Sequence, residues 1–364
     1  METLKEGSKT VIDRIILTGI TPVMLDDVTS GFNISNNLSL DPIYNEMLGF
    51  TQDEVGTLMK EIGIEPNMIN VDMELYYNGY LFNQYGEHRV YNPSMMLYLF
   101  AQILHPKLIG NIIDDNLKID YGRVKRLIKN NREQLTEIAQ NNGILSELSP
   151  KFSIDHLLDP NNFASLLFYM GLLTVDKVER GLIRLKIPNY SIRTIFWEYV
   201  KQLTADCNPD VLIDMKEQRI ALIELAYSGN PHLFIEYVSK NIFSRLSNRD
   251  LIKFDEKYIK IILLHCLFQS NLYVTITELE VSQGYTDIYM QRSHLYPDVP
   301  YEWVWEVKYI SKQDATDNVL ETKRKEARVQ LEKYRNSPMF AGRPDIRYLS
   351  AIFIGKDKYE IEEI

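Results

Sequence analysis

The sequence predicts a mixed α/β protein, and three observations support this fold class. In the last third, segments with helical and strand periodicity follow one another in the order α-β-β-β-α-β. Between about 109 and 205 the pattern is helical, with an interruption at 171–188 that is typical of strands. The composition, 45% hydrophobic and 25% charged, is that of an ordinary globular protein, and 364 residues suffice for two or three cores.

Pattern shifts divide the chain near residues 110 and 215, which gives three regions: 1–110, 111–215 and 216–364. In the first region we predict a buried strand at 11–18, a helix opened by the capping box of Thr51 and Glu54, and a helix opened by Pro93. In the second, Leu172–Val175 and Leu182–Ile187 form a predicted hairpin that follows helices, a winged-helix-like arrangement. Such modules either bind DNA or pack between domains.

In the third region we predict helices near 215–227, 231–246, 254–270 and 314–335, and strands at 273–280, 285–290, 302–309 and 347–354.

Charge and cysteine content exclude several classes of protein. The net charge of −10 argues against indiscriminate nucleic-acid binding, although it leaves a local basic patch open. Two distant cysteines, Cys207 and Cys266, argue against a disulfide framework and against a zinc site. Because the sequence has neither an apolar stretch of eighteen residues nor the regions of a signal peptide, we expect a cytoplasmic protein without membrane insertion or export.

The candidate site lies in the apolar segment 301–309. Residues i and i+2 of a strand point the same way, so Glu306 and Lys308 share a face. If strands 285–290 and 301–309 pair antiparallel in a symmetric register, Asp287 lies opposite Val304 and diagonal to Glu306. The two carboxylates are then roughly 7 Å apart, within reach of one shared metal ion.

This trio suits metal-dependent cleavage of a phosphodiester. Two carboxylates offer Mg²⁺ the oxygen ligands that it prefers, and a lysine stabilises the attacking hydroxide or the charge that develops on phosphorus. The pattern Asp/Glu-x-Lys occurs four times in the sequence, but only Glu306/Lys308 lies among aromatic and β-branched residues with an acidic residue on a preceding strand. The alternative is an edge strand with a cross-strand ion pair.

A basic patch follows the candidate site. Its residues are Lys323, Arg324, Lys325, Arg328, Lys333 and Arg335, all on the predicted helix 314–335. Phosphate contacts are one use for such a patch, and Lys323, Arg324 and Arg328 are our candidates for them. The alternative is a solvated amphipathic helix with pairs such as Glu321/Lys325.

These residues resemble the PD-(D/E)XK nuclease superfamily, whose core has the order α-β-β-β-α-β of a restriction endonuclease. Asp287 matches the motif aspartate and Glu306-Val307-Lys308 matches the (D/E)-x-K element, whereas Thr286 departs from the motif proline. Gln330 and Tyr334 match the Gln-x-x-x-Tyr element of some subgroups, and Glu256 matches an acidic residue of the preceding helix.

The resemblance implies a role for each matched residue. Asp287 and Glu306, with Glu256 as an additional acid, would ligate Mg²⁺, or alternatively Mn²⁺. Lys308 would stabilise or orient the nucleophile and Gln330 would position the site. Tyr334 is a further candidate for nucleic-acid contact, with Lys323, Arg324 and Arg328.

A second resemblance covers the front of the chain. The segments 15–23, 25–34, 45–51, 77–80, 90–93 and 187–190, with Phe196, are similar to bacterial AAA-ATPase-like proteins that carry such a nuclease domain at their C-terminus. No Gly-x-x-x-x-Gly-Lys-Ser/Thr run is present, so the chain is expected to begin after the Walker segments and not to hydrolyse ATP alone.

The sequence therefore favours a Mg²⁺-dependent nuclease, with DNA as the favoured substrate, attached to a partial ATPase-like module. The alternative is a non-catalytic module that binds nucleic acid or a partner, and a third hypothesis is a motor whose P-loop comes from another chain. For the partners of the chain we retain two hypotheses, an ATPase and a second copy of the same chain.

Overall fold

A computed structural model describes residues 11–14, 16, 38–69, 71–105, 130–149, 159–207, 214–245, 255–268, 271–282 and 284–364. The chain divides into two compact units, residues 1–199 and 200–364. The predicted strand at 11–18 lies partly outside the described residues. Its described part, 11–14 and 16, is not in a strand, and Val11 and Ile16 are exposed. The boundaries near 110 and 215 stay predictions.

The first unit contains mainly short helices. These are α1 (Gln52–Ile62), α2 (Met73–Tyr77), α3 (Pro93–Leu104), α4 (Arg132–Asn141) and α5 (Phe163–Tyr169), and α6 (Tyr190–Cys207) begins in this unit. The capping box is confirmed: the Thr51 hydroxyl accepts from the Glu54 amide, and a Glu54 carboxylate oxygen accepts from the Thr51 amide at 2.8 Å. Pro93 opens α3, with the Asn92 side chain as its N-cap.

A small antiparallel sheet in the first unit confirms the predicted hairpin. Strands β2 (Thr174–Glu179) and β3 (Leu182–Lys186) are joined at Arg180 and Gly181, whose φ angles of 52° and 86° are those of a tight hairpin turn. The sheet also contains β1 (Gly143–Ser146), which sequence periodicity did not reveal, in the order β1-β3-β2. Four residues are too few to show a period.

The second unit has the predicted element order with one addition. Its helices are α7 (Met215–Ile223), α8 (His232–Asn241), α9 (Glu256–Phe268) and α10 (Asp317–Arg335). Its strands are β4 (Tyr273–Val281), β5 (Gly284–Arg292), β6 (Glu302–Ile310), β7 (Ile346–Ile354) and β8 (Lys358–Glu363). Strand β8 was missed because its sequence, Lys-Tyr-Glu-Ile-Glu-Glu, is dominated by charged residues, which are uncommon in strands.

These five strands form one sheet in the order β4-β5-β6-β7-β8, with β6 and β7 parallel and every other pair antiparallel. Helix α10 provides the crossover between the parallel strands. Val304 clusters with Leu331 of α10, whereas the Trp305 ring lies 5.8 Å from Phe234 of α8. Because neighbouring strand residues face opposite ways, helices cover both faces of the sheet.

Within the described residues, no helix combines the length and apolar character needed to cross a membrane.

Candidate active site

The predicted Glu306/Lys308 pair forms on β6. The Lys308 ammonium lies 2.6 Å from Glu306 Oε1, with side-chain exposures of 11% and 1%. Residues two apart on a strand share a face, and the neighbours Trp305 and Val307 point to the other face and are fully buried. The strand therefore holds a charged pair in a largely dehydrated position, unlike an exposed cross-strand ion pair.

Asp287 lies on the neighbouring strand β5 and is fixed by two donors. The Val307 backbone amide donates to Asp287 Oδ2 at 2.8 Å, and the Lys260 ammonium donates to Oδ1 at 2.6 Å. The first of these bonds fastens Asp287 directly to the strand segment that carries Glu306 and Lys308. Three of the four predicted catalytic residues are thus brought together.

The predicted register was wrong by two residues. Tyr289, and not Asp287, pairs with Val304, and Ile288 pairs with Trp305, so continuing the same ladder places Asp287 opposite Glu306. Strand β5 runs to Arg292, beyond the predicted end, because Gln291 and Arg292 pair with Val274 and Tyr273 of β4. At this end the Arg292 amide also donates to Glu302 Oε1 at 3.1 Å. A shift of two preserves the side-chain parity, so the acidic residues still share a face.

Burial and charge set the ionisation of Glu306. Burial, followed by the nearby Asp287 carboxylate, raises the pKa of Glu306 to about 7, although Lys308 acts in the opposite direction. The single hydroxyl proton of Tyr334 on α10 is shared between two acceptors, the Tyr285 carbonyl at 2.7 Å and Glu306 Oε2 at 3.2 Å. Glu306 therefore has two hydrogen-bond donors, Lys308 and Tyr334. The nearby Asp287 carboxylate disfavours its ionised form.

The placement of Tyr334 corrects its predicted nucleic-acid contact. Its side chain is only 3% exposed and belongs to the apolar cluster of α10, with Leu331 and Val304. A ring in this position cannot stack on a base, because the sheet and α10 already cover it. Its hydroxyl instead faces Glu306 Oε2.

Glu256 and Lys260 extend the site from the first turns of α9. Lys260 Nζ lies 3.1 Å from Glu256 Oε1 and 2.6 Å from Asp287 Oδ1, so it bridges the two acids. Burial lowers the pKa of Lys260, but Asp287 and Glu256 outweigh it and the net direction is upward. Sequence reasoning missed Lys260, because a lysine four residues after a glutamate is ordinary on a helix surface.

An open groove of about 520 Å³ adjoins the site. Its lining residues are Lys308, Thr322, Lys325, Glu326, Val329 and Gln330. The Gln330 carboxamide oxygen is buried and has no hydrogen-bond partner within the described chain. Gln330 and Lys308 therefore line the same groove, and the Gln330 oxygen is an acceptor available to a ligand or a water molecule.

The predicted basic patch is largely paired with acids. Arg324 contacts Glu360 through two nitrogens at 3.0 Å, and Arg328 Nε lies 3.0 Å from Glu362. Lys323 pairs with Glu326 on the same helix at 2.8 Å. The two arginines thus fasten α10 to β8, which sequence reasoning could not foresee without that strand. Phosphate contacts by Lys323, Arg324 and Arg328 stay predictions.

The donor chemistry fits a hard divalent cation in part. Carboxylates are suitable ligands, and a positive group, the Lys260 ammonium, already sits between Asp287 and Glu256 as a stand-in cation. Among the described residues, however, no three histidine, cysteine or acidic side chains are gathered into a ready metal cage. Asp287 and Glu306 are therefore the pair suited to a cation, with Glu256 separated from Asp287 by Lys260.

A comparison with protein families matches residues 254–363 to the PD-(D/E)XK nuclease superfamily. The matched range contains Glu256, Asp287, Glu306, Lys308 and Gln330. A comparison with curated proteins gave no match. The family match does not reach the front of the chain, where the resemblance to AAA-ATPase-like proteins stays a prediction. Residues 254–363 are a PD-(D/E)XK nuclease superfamily domain.

Proposed function

We propose that this domain hydrolyses phosphodiester bonds of nucleic acid, with DNA as the favoured substrate and Mg²⁺ as the cofactor. One observation carries the proposal: Asp287, Glu306 and Lys308 meet on β5 and β6 beside an open groove. The superfamily match of residues 254–363 supports the same reaction class.

Each residue of the site has a separate role in the proposed reaction. Asp287 and Glu306 would hold the cation, with Glu256 as an additional acid; when bound, Mg²⁺ supplies Lewis-acid activation of water and of the phosphate. Lys308 lines the groove and would stabilise the negative charge that develops on the phosphate during cleavage. Gln330 offers its unpaired carbonyl oxygen to orient a water molecule or the substrate.

A test compares cleavage of single- and double-stranded DNA and RNA by the purified chain with Mg²⁺, with Mn²⁺ and with EDTA. We expect cleavage with either metal and none with EDTA. Glu306→Gln should abolish it, because the substitution removes a charged ligand at nearly constant volume. Cleavage in EDTA would contradict the metal requirement, and equal cleavage by Glu306→Gln would contradict the site.

The alternative, a non-catalytic module that binds nucleic acid or a partner, is favoured by a different observation. Each carboxylate oxygen of Asp287 and Glu306 already accepts a hydrogen bond from the protein. Absence of Mg²⁺ and Mn²⁺ binding by the intact chain, together with retained nucleic-acid binding, would establish this function. Docking onto an ATPase partner belongs to this alternative. A complete ATPase motor, with a P-loop from another chain, is a third hypothesis, and nucleotide binding by the purified protein would support it.

A further inference from the structure

Lys260 occupies an unusual place between two predicted metal ligands. Its ammonium lies 2.6 Å from Asp287 Oδ1 on β5 and 3.1 Å from Glu256 Oε1 on its own helix. The Asp287 side chain is 15% exposed and that of Lys260 is 23% exposed. This geometry puts a positive group where a cation shared by these two acids would lie.

Helical spacing explains only one of the two contacts. Glu256 and Lys260 are four residues apart on α9, and such pairs form on many helix surfaces with a stabilisation of about 0.2–0.5 kcal/mol. Asp287 belongs to another element, 27 residues further along the chain, and gives the shorter contact. The tertiary fold therefore directs Lys260 into the site.

We propose that Lys260 is a built-in competitor of the divalent cation: its ammonium holds the acidic site in the absence of metal and must withdraw when metal binds. The inference rests on the proposed function, because it concerns Asp287, one of the two acids proposed to hold the cation, and Glu256, the additional acid. It adds a regulatory step, in which metal binding is opposed by a residue of the domain itself.

The balance of charge supports this displacement. With all three acids ionised, Asp287, Glu306 and Glu256 face the two ammonium groups of Lys260 and Lys308, which leaves one net negative charge. A divalent cation added without displacement would make the cluster positive, whereas withdrawal of Lys260 would leave it neutral. A lysine can withdraw because its charge sits on a flexible four-carbon stem, and the partial exposure of Lys260 provides a route to solvent.

The test is Mn²⁺ affinity without nucleic acid, measured from the electron paramagnetic resonance signal of free Mn²⁺. We expect Lys260→Met to bind Mn²⁺ at least about tenfold more tightly than the wild type, because the competing charge is gone. Lys257→Met is the matched control, since it removes an exposed positive charge from the same turn of α9 and should leave the affinity unchanged. Lys260→Arg keeps the charge and should not tighten binding.

Each other outcome has a distinct meaning. Equal or weaker Mn²⁺ binding by Lys260→Met would overturn the competitor role while leaving metal-dependent cleavage intact. Absence of Mn²⁺ binding in the wild type and in every variant would overturn both the inference and the proposed cofactor. Thermal unfolding checks that each variant is folded, and Lys260→Gln, which keeps a polar side chain without charge, replaces Lys260→Met if that variant does not fold.

Discussion

Two buried glutamates lie four residues apart on β6, and their surroundings differ. Glu302 accepts from the Tyr289 hydroxyl at 2.6 Å, from Arg343 at 2.8 Å and from the Arg292 amide. Arg343 in turn contacts Asp345 at 2.8 Å. Glu306 accepts instead from Lys308 and Tyr334, and a second carboxylate, Asp287, lies nearby.

One strand therefore carries two clusters of different character: one around Glu302 that is held by arginine, and one around Glu306 that we propose to be the reactive one. The planar guanidinium of Arg343 donates several hydrogen bonds and thereby holds Glu302 in one position. The same guanidinium also pairs with Asp345. At Glu306, acids crowd together beside an open groove and the positive groups are lysines, each a mobile point charge. Burial alone therefore does not distinguish the two glutamates, whereas the residues around them do.

The largest expected effect tests the chemical role of the Glu306 cluster. Lys308→Ala should reduce Mg²⁺-dependent cleavage by at least about 10²–10³-fold, the loss that follows removal of one group that stabilises developing charge. Circular dichroism should show an unchanged fold. Lys312→Ala is the matched control, because Lys312 lies just beyond β6 and its side chain is 78% exposed. Retained cleavage by Lys308→Ala would remove the distinction between the two clusters.

Arg343→Met tests the structural role of the Glu302 cluster. It leaves the buried Glu302 with fewer donors and should lower the free energy of unfolding by about 2 kcal/mol, a figure reduced because Arg343 is partly exposed. Urea unfolding measures this loss, while cleavage per folded molecule should not change. A loss of cleavage without a loss of stability would contradict the assignment.

The same variant has a pH signature. A hydrogen bond from Arg343 lowers the pKa of Asp345 below its ordinary value. The stability that this pair contributes is therefore present above the unfolded pKa and is lost as the pH falls through the folded one. The stability difference between wild type and Arg343→Met should narrow below about pH 4.

The smallest expected effect on stability comes from two matched tyrosine-to-phenylalanine substitutions, each of which removes one hydroxyl group. Tyr334→Phe and Tyr289→Phe each remove a donor to a buried glutamate, Glu306 or Glu302, and each should cost about 1 kcal/mol of stability. Only Tyr334→Phe should also lower cleavage, because it alone alters the orientation of Glu306. Equal effects on cleavage would show that the two clusters are coupled.

The sequence by itself determined the element order of the second unit and the shared face of Glu306 and Lys308. Strand and helix periods are local properties, so α9, β4–β7 and α10 were predictable to within a few residues. The alternation of side chains between the two faces of a strand is also a local property. A register error of two residues does not change the face, so Asp287 was still predicted on the face of Glu306.

Only the tertiary structure decided the partners of these residues. Backbone pairing of Tyr289 with Val304 defines the register of β5 against β6, and β8 supplied the acids that pair with Arg324 and Arg328. The burial of Tyr334 and the contact of Lys260 with Asp287 depend on how helices pack against the sheet. Such contacts join residues far apart in the chain, so no local pattern encodes them. The different surroundings of Glu302 and Glu306 arise from these contacts.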